Sequence, residues 1–256
     1  MPPHTTGHAI GRSIRAECLS ASAQLQAAGE VHTRIHEARK AIRRARSLLA
    51  LVDDRLDVEA ANRALERLGD SLSILRDARA AVETAARVAK RDGPGRWAPV
   101  VRALRRRAGD AARRVLDADP RFAKRAAAIQ RTVGRLDTLC WEEVSPRDIR
   151  HALKRQRKRV ERAAKRARKD PTADKLHRWR RRVRRLRMQL EALSQLGIEG
   201  VSVEPGQRKK LQALSDDLGW NQDLDVLARI VGRLPGLDER KALLTRLDAL
   251  RPGIPS

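Results

Sequence analysis

Residues 31–52 and 175–193 carry the same helical pattern of basic and apolar residues. The first segment reads VHTRIHEARKAIRRARSLLALV, and the second reads KLHRWRRRVRRLRMQLEAL. The second copy lies 141 positions after the first, so that His36 aligns with His177. Six basic and six apolar residues match in this one register. A match of this length indicates an internal repeat built on one helix type.

The apolar residues of each copy are spaced alternately by three and four positions, which defines one face of a helix. Basic residues follow one flank of that face, on the same side in both copies. Clustered cations repel one another, and a bound polyanion would remove that cost. The candidate polyanion-binding residues are His36, Arg39, Lys40, Arg43 and Arg46 in the first copy and His177, Arg180, Arg181, Arg184 and Arg187 in the second. The alternatives are a solvated basic face and structural histidines that bridge to a carboxylate.

The net charge points to an anionic partner. The chain has 57 lysines and arginines against 32 acidic residues, a formal charge of +25. Such a balance attracts nucleic acids, anionic membranes and inorganic or organic phosphates. Aromatic residues are only 2% of the chain, whereas single-strand binders normally stack bases on aromatic side chains. The composition therefore favours a partner that offers phosphate and no bases.

Several functional classes lack their motifs. Cys18 and Cys140 are too few and too far apart for a disulfide framework or a zinc site. The sequence has no glycine-rich phosphate loop, metal-ligand cluster or nucleophile motif. It also has no run of 18 apolar residues and no apolar segment typical of a signal peptide at its start. We therefore expect a soluble, cytoplasmic protein that is not an enzyme and binds no metal or cofactor.

Helical periodicity extends along the whole chain, and no strand pattern occurs. Four helices before about residue 92 and another set after residue 145 predict an all-α chain with two antiparallel helical bundles. We expect a single domain over 7–251, made of repeats at about 7–118 and 145–251 with a helical connector at 119–144. The predicted helices span about 7–27, 30–52, 58–75, 77–90, 97–117, 122–141, 145–169, 172–195, 207–218, 223–234 and 238–250.

A second pair of segments supports the duplication. LSILRD at 72–77 aligns with LGWNQD at 218–223. Asp77 and Asp223 each stand where we predict one helix to end and the next to begin, which is typical of a helix N-cap. Alternatively, each carboxylate orients an arginine or histidine of the basic helices. The intervening basic helix, about 145–169, could add Lys154 or Lys158 to a binding groove.

These motifs resemble the CHAD family, the conserved-histidine α-helical domain. The resemblance rests on H-x-x-R-[KR]-x-x-R-R-x-R, present twice and followed each time by L-x-x-x-x-D. The second copy fits closely, whereas Ser73 replaces a glycine of the motif in the first. The resemblance implies two four-helix bundles related by a pseudo-twofold axis, with a basic groove or pore between them. It also implies binding of inorganic polyphosphate and association with polyphosphate granules in bacteria.

The sequence therefore leaves two functional hypotheses. One is a stand-alone module that binds inorganic polyphosphate through the paired basic rows, with other polyanions as further partners. The alternative is a sequence-independent, architectural nucleic-acid-binding protein held by phosphate contacts alone. The duplicated basic rows and the scarcity of aromatic residues favour the first, and the oligomeric state stays open.

Overall fold

A computed structural model of the chain describes residues 6–198, 200, 204, 206–251 and 253. Within these residues the chain forms ten α-helices and no β-strand, which confirms the all-α prediction. Two short 3-10 turns, Pro120–Phe122 and Trp141–Glu143, flank the sixth helix. The helices are α1 Thr6–Gln26, α2 Val31–Val52, α3 Glu59–Ser71, α4 Ser73–Asp92, α5 Pro94–Ala118, α6 Ala123–Leu136, α7 Pro146–Lys169, α8 Ala173–Leu196, α9 Gln207–Val231 and α10 Arg240–Ala249.

Local sequence signals set the ends of the helices that carry the site. Ser145 caps α7 through a capping box: its hydroxyl accepts from the Asp148 backbone N–H, and the Asp148 carboxylate accepts from the Ser145 backbone N–H. This arrangement satisfies two backbone donors at the helix start. Thr172 caps α8 by accepting from the Lys175 backbone N–H. The helix ends at Gly197, whose φ of 60° is a left-handed conformation that glycine adopts without strain.

The buried apolar side chains form three clusters, and each contains residues of several helices. The largest joins α1, α2, α3 and α6 to the start of α7 and the end of α8. A second joins α4 and α5 to the later part of α9 and to α10. A third lies between α7, α8 and the earlier part of α9. The first two clusters therefore contain residues of both repeats, whereas the third lies within the second repeat.

The corresponding helices of the two repeats pack against each other. The basic helix α2 contacts the basic helix α8, and α4 contacts α9. The α2–α8 contact includes a buried hydrogen bond, in which Gln189 Nε2 donates to the carbonyl oxygen of Ser47 at 2.8 Å. This pairing is what a pseudo-twofold relation between the repeats requires. It also brings the two basic helices together in the middle of the molecule.

Two details of the predicted helices are wrong. Helix α9 runs unbroken through Gly219 and Asp223, so Asp223 is not an N-cap. Asp77 likewise lies inside α4, because the break between α3 and α4 falls at Leu72. The guanidinium of Arg180 packs against Gly219, in the space that a side chain there would occupy. The predicted loop at 197–206 lies partly outside the described residues.

Candidate functional site

Five arginines gather where α2, α4 and α8 meet; we call them the central cluster. They are Arg39, Arg43, Arg76, Arg180 and Arg184. Burial, and after it the positive charges of the neighbouring arginines, lower the pKa of Arg43 to about 10. Burial and the same neighbours lower the pKa of Arg184 to about 9. The charged form is therefore poorly solvated and repelled by like charge, which an anion would reverse.

Arg39 and Arg180 align in the two repeats, but they have different hydrogen-bond partners. Arg39 Nη1 donates to the carbonyl oxygen of Gly69, near the end of α3. Arg180 Nη1 donates to Gln222 Oε1 at 2.8 Å and lies 3.9 Å from Asp223 Oδ1. The orienting carboxylate that the sequence offered as an alternative is therefore present in the second repeat.

A cavity of about 790 Å³ opens beside the central cluster, between α2, α3, α7 and α8. Of the sixteen described residues that line it, eleven are arginine or lysine, two are acidic and none is aromatic. Arg43 and Arg184 belong to both the cavity and the central cluster. The basic lining residues are Arg43 and Arg46 from α2, Arg159, Arg162 and Arg166 from α7, and Lys175, Arg178, Arg181, Arg182, Arg184 and Arg185 from α8.

Acidic residues neutralise few of these cations. Glu66 pairs with Arg46 at 2.7 Å, Asp174 pairs with Arg178 at 2.9 Å, and Lys175 pairs with Asp170 outside the lining. Within the part of the chain that the structure describes, the other eight arginines have no carboxylate within 4.0 Å. They are Arg43, Arg159, Arg162, Arg166, Arg181, Arg182, Arg184 and Arg185. The cavity wall therefore includes both partly buried and exposed arginines, and carboxylates do not balance most of its positive charge.

Three predicted site residues lie away from the cavity in a mixed-charge network. His36 is exposed, with Nε2 at 3.9 Å from Glu37 Oε1, and Lys40 Nζ lies 3.5 Å from Glu37 Oε2. Arg187 Nη1 lies 3.5 Å from Glu191 Oε2. Each of the three therefore has a carboxylate within 4.0 Å, unlike most of the cavity arginines. The other predicted residues line the cavity or belong to the central cluster, except His177.

His177 occupies a different environment from His36, although the two align. It is partly buried and hydrogen-bonded to the side chain of Gln222. Burial lowers the pKa of His177, and the charges of Arg181 and Arg180 lower it further, although the hydrogen bond to Gln222 opposes this. Since Gln222 also accepts from Arg180, it links the histidine to the central cluster.

Sequence reasoning missed several of these residues. Arg159, Arg162 and Arg166 line the cavity from α7, whereas Lys154 and Lys158 do not. The spacing of Arg159, Arg162 and Arg166 by three and four positions places them on one face of α7, but other basic residues of α7 have equally suitable spacings. Arg76 and Gln222 were missed as well, although each directly precedes one of the two paired aspartates.

The described residues contain no group of three or more His, Cys, Asp or Glu side chains that could hold a metal ion. Every helix in the described ranges is too short or too polar to be a membrane span.

Comparisons with known proteins agree on one fold. No curated protein matches the chain. The crystal structure of the CHAD domain from the plant Ricinus communis is similar with a TM-score of 0.71 and 22% identity, over 97% of this chain and 88% of that one. PptA from Streptomyces chartreusis is similar with a TM-score of 0.72 and 18% identity, over 96% of this chain and 94% of that one. At these identities the likeness shows the fold alone. The family model of the CHAD domain matches residues 14–232, which is most of the sequence. The chain therefore belongs to the CHAD domain family.

Proposed function

We propose that this protein is a non-enzymatic module that binds inorganic polyphosphate in the cavity and the central cluster, at polyphosphate granules in a bacterial cytoplasm. The observation that carries the proposal is the set of eight arginines that line one cavity without a carboxylate partner. Folding places these charges together at a cost, and a dense polyanion is the ligand that offsets it. The resemblance of the motifs to those of polyphosphate-binding CHAD proteins adds support.

The chemistry of the lining matches a phosphate chain. Each guanidinium can donate two parallel hydrogen bonds to phosphate oxygens, which gives geometry as well as charge. Polyphosphate offers such oxygens along its length and has no base to stack, which suits a cavity without aromatic lining residues. The cavity volume of about 790 Å³ is within the usual range for small-ligand sites, which suits a single phosphate chain better than a nucleic-acid duplex.

An outer surface favours the second candidate, sequence-independent nucleic-acid binding. Arg102, Arg105 and Arg106 are exposed on α5, and no carboxylate of the described residues pairs with them. Such a surface can hold a phosphate backbone without reading bases. Polyphosphate and duplex DNA should therefore bind at different places on the molecule.

Competition between the two polyanions tests the proposal. A fluorescently labelled polyphosphate chain is bound to the protein at moderate salt and displaced with unlabelled long-chain polyphosphate or duplex DNA at equal phosphate concentration. We expect polyphosphate to displace the label at much lower concentration. If DNA displaces it equally well, the nucleic-acid function replaces our proposal.

Paired variants test the role of both repeats. Arg39→Ala with Arg43→Ala and Arg180→Ala with Arg184→Ala should each weaken polyphosphate binding by about tenfold or more, since each removes two charged hydrogen-bond donors. The matched control is Arg105→Ala with Arg106→Ala, which removes the same charge from α5. Equal affinity of either central pair and the parent would contradict a site shared by both repeats.

A further inference from the structure

The outward face of α7 carries a straight row of basic residues, which we call the α7 ridge. Its members are all exposed and stand four or seven positions apart, so at about 100° per residue they fall within a sector of about 60°. They lie on the side of the helix opposite Ile149 and Ala167, which are buried. The α7 ridge consists of Arg147, Lys154, Lys158, Lys165 and Lys169.

The α7 ridge is separate from the cavity and carries almost pure positive charge. None of its members lines the cavity, and none has a carboxylate within 4.0 Å among the residues that the structure describes. The carboxylates at the two ends of α7 have other partners: Asp148 pairs with Arg55, and Asp170 pairs with Lys175. Beside the ridge α7 carries one acidic residue, Glu161. Five cations therefore face the solvent next to a single carboxylate.

The α7 ridge and the cavity use different cations. Four of the five ridge residues are lysines, whereas ten of the eleven basic residues that line the cavity are arginines. An arginine fork fixes the position of phosphate oxygens, whereas a lysine is a hydrated point charge on a flexible stem. The ridge therefore suits a layer of mobile anionic groups better than one anion held in a fixed geometry.

The α7 ridge is long and straight, which selects the shape of its partner. From Arg147 to Lys169 it extends about 33 Å, at about 1.5 Å of rise per residue. A flat anionic layer can contact all five residues at once. Each strand of a duplex winds around the axis once in about 34–36 Å, so it presents its phosphates to a straight ridge over only part of that length. A single strand needs aromatic side chains to stack its bases, and α7 has none.

The partner layer is contacted by charge alone. Within the described ranges, the large apolar side chains that are exposed are Leu19 and Ile74, and neither belongs to α7. A helix that inserts into a bilayer needs an apolar face directed toward the acyl chains. The apolar face of α7 is instead packed in the core. A flat, mobile and anionic layer that needs no insertion is the headgroup surface of a bilayer.

We propose that the α7 ridge docks the protein reversibly on the headgroups of a bilayer that contains anionic lipid. Helix α7 lies along the surface, and its buried face stays against the protein core. The cavity-lining arginines of α7 lie on the flank of the helix, so a bilayer and an anion in the cavity use different side chains. The inference therefore goes beyond the proposed function and does not rest on it.

Binding of the unaltered protein to vesicles is the first test. Vesicles of phosphatidylcholine with about 30% phosphatidylglycerol should bind the protein at ~0.1 M salt and release it near 1 M, because the Debye length shortens from about 10 Å to about 3 Å. Vesicles of phosphatidylcholine alone should not bind it. If the protein does not bind the anionic vesicles, the docking proposal is wrong, whereas polyphosphate binding is measured separately with a labelled chain.

Two charge-matched variants locate the docking surface. The ridge variant carries Lys154→Gln, Lys158→Gln, Lys165→Gln and Lys169→Gln. Each lysine near an anionic leaflet contributes about fivefold to binding, so the ridge variant should bind the vesicles roughly 100-fold more weakly or worse. The control removes four charges from exposed positions on α5 and should weaken binding by less than about fivefold, as a screened long-range effect; it carries Arg102→Gln, Arg105→Gln, Arg106→Gln and Arg107→Gln. Equal losses in the two variants would show that net charge is responsible, and would overturn the proposal.

Two further readouts separate docking from damage to the fold. Labelled polyphosphate should bind the ridge variant within about threefold of the parent, because the ridge does not line the cavity. Lysine-to-arginine changes at the same four positions keep the charge, so vesicle binding should stay within about threefold of the parent. A loss of vesicle binding in the arginine variant as large as that in the glutamine variant would contradict docking by charge.

A footprint of the unaltered protein needs no variant to fold. Anionic vesicles should protect the four ridge lysines from an amine-reactive reagent, as read by mass spectrometry. The exposed Lys90 and Lys241 lie on other helices and should react as they do without vesicles. Equal protection of all six lysines, or of none, would overturn the proposal. Protection of the ridge by duplex DNA but not by vesicles would make the ridge a nucleic-acid surface and would also overturn it.

Discussion

Replacing Arg184 with methionine should stabilise the ligand-free protein. Arg184 is mostly buried, has no carboxylate within 4.0 Å among the described residues, and is repelled by Arg43 and Arg180. Lowering its pKa from 12.5 to about 9 corresponds to roughly 5 kcal/mol against the charged form. Neighbouring guanidiniums relax and keep part of their hydration, so we expect a smaller gain, within the ~1–4 kcal/mol seen when buried ion pairs are replaced by apolar residues.

The change should be visible by thermal unfolding. A gain of about 2 kcal/mol raises the melting temperature by roughly 4–8 °C for a chain of this size. The control is Arg105→Met on the exposed face of α5, which should change the free energy of unfolding by less than about 0.5 kcal/mol. Calorimetry or circular dichroism at pH 7 and low salt measures both variants.

The same variant should lose stabilisation by ligand. A ligand that binds only the folded protein adds about 2.7 kcal/mol at a hundredfold excess over its dissociation constant. Long-chain polyphosphate should therefore raise the melting temperature of the parent more than that of Arg184→Met, so that the difference between the two shrinks or reverses. A lower melting temperature for the ligand-free Arg184→Met protein would refute the claim that this charge is held at a cost.

Three further substitutions test other parts of the site. Gly219→Ala would place a methyl group 2.8 Å from Arg180 Nη2; the guanidinium must move, so polyphosphate affinity should fall severalfold while the melting temperature stays or rises, because glycine inside a helix costs roughly 0.5–1 kcal/mol relative to alanine. Asp148→Ala should cost about 1 kcal/mol by removing the capping box of α7. The pKa of Asp148 is lowered to about 2, first by its hydrogen bond with Ser145, so this contribution is present above pH 3.8 and is lost as the pH falls through 2; acid titration of the variant should lack that loss. Burial lowers the pKa of His177 below 6.5, so the unfolded chain binds its proton first and stability falls as the pH drops below 6.5; His177→Gln should show a smaller fall between pH 7 and pH 5 in thermal unfolding.

The arrangement of α2 and α8 could be predicted because the signal lies within each helix. Apolar spacing determines which face is buried, and the flank that carries Arg43 and Arg184 follows from that face. The matching register then implies that both flanks meet if the repeats pack symmetrically. Local periodicity was therefore enough to identify Arg43 and Arg184 as site residues.

The three arginines that α7 contributes to the cavity could not be selected from the sequence alone. Basic residues occur on nearly every face of α7, so Lys154 and Lys158 have spacings as suitable as those of Arg159 and Arg162. Contacts with α8 decide which face lines the cavity, and these depend on residues distant in the chain. Alignment also failed to separate His36 from His177, because their environments are set by Glu37 in one case and Gln222 in the other.

The helix break predicted at Gly219 is wrong for a related reason. The low helix propensity of glycine predicted a break, but the packing of Arg180 against Gly219 is a tertiary effect. In the first repeat Ser73 takes the aligned position, the helix breaks at Leu72, and Arg39 donates to Gly69 instead. Equivalent arginines of the two repeats thus pack against different backbone conformations: a helix break at Leu72 in the first repeat and a continuous helix at Gly219 in the second.

The shared cores impose an order on folding during synthesis. Helices α4 and α5 complete their apolar cluster only with α9 and α10, which leave the ribosome about 100 residues later. At ~5–20 residues per second, the apolar faces of α4 and α5 wait for roughly 5–20 s without their native partner. During that interval the nascent first repeat presents both an open apolar surface and a strongly basic one. We therefore expect α4 and α5 of the nascent chain to stay accessible to proteases until α9 and α10 have been synthesised and complete the shared cluster.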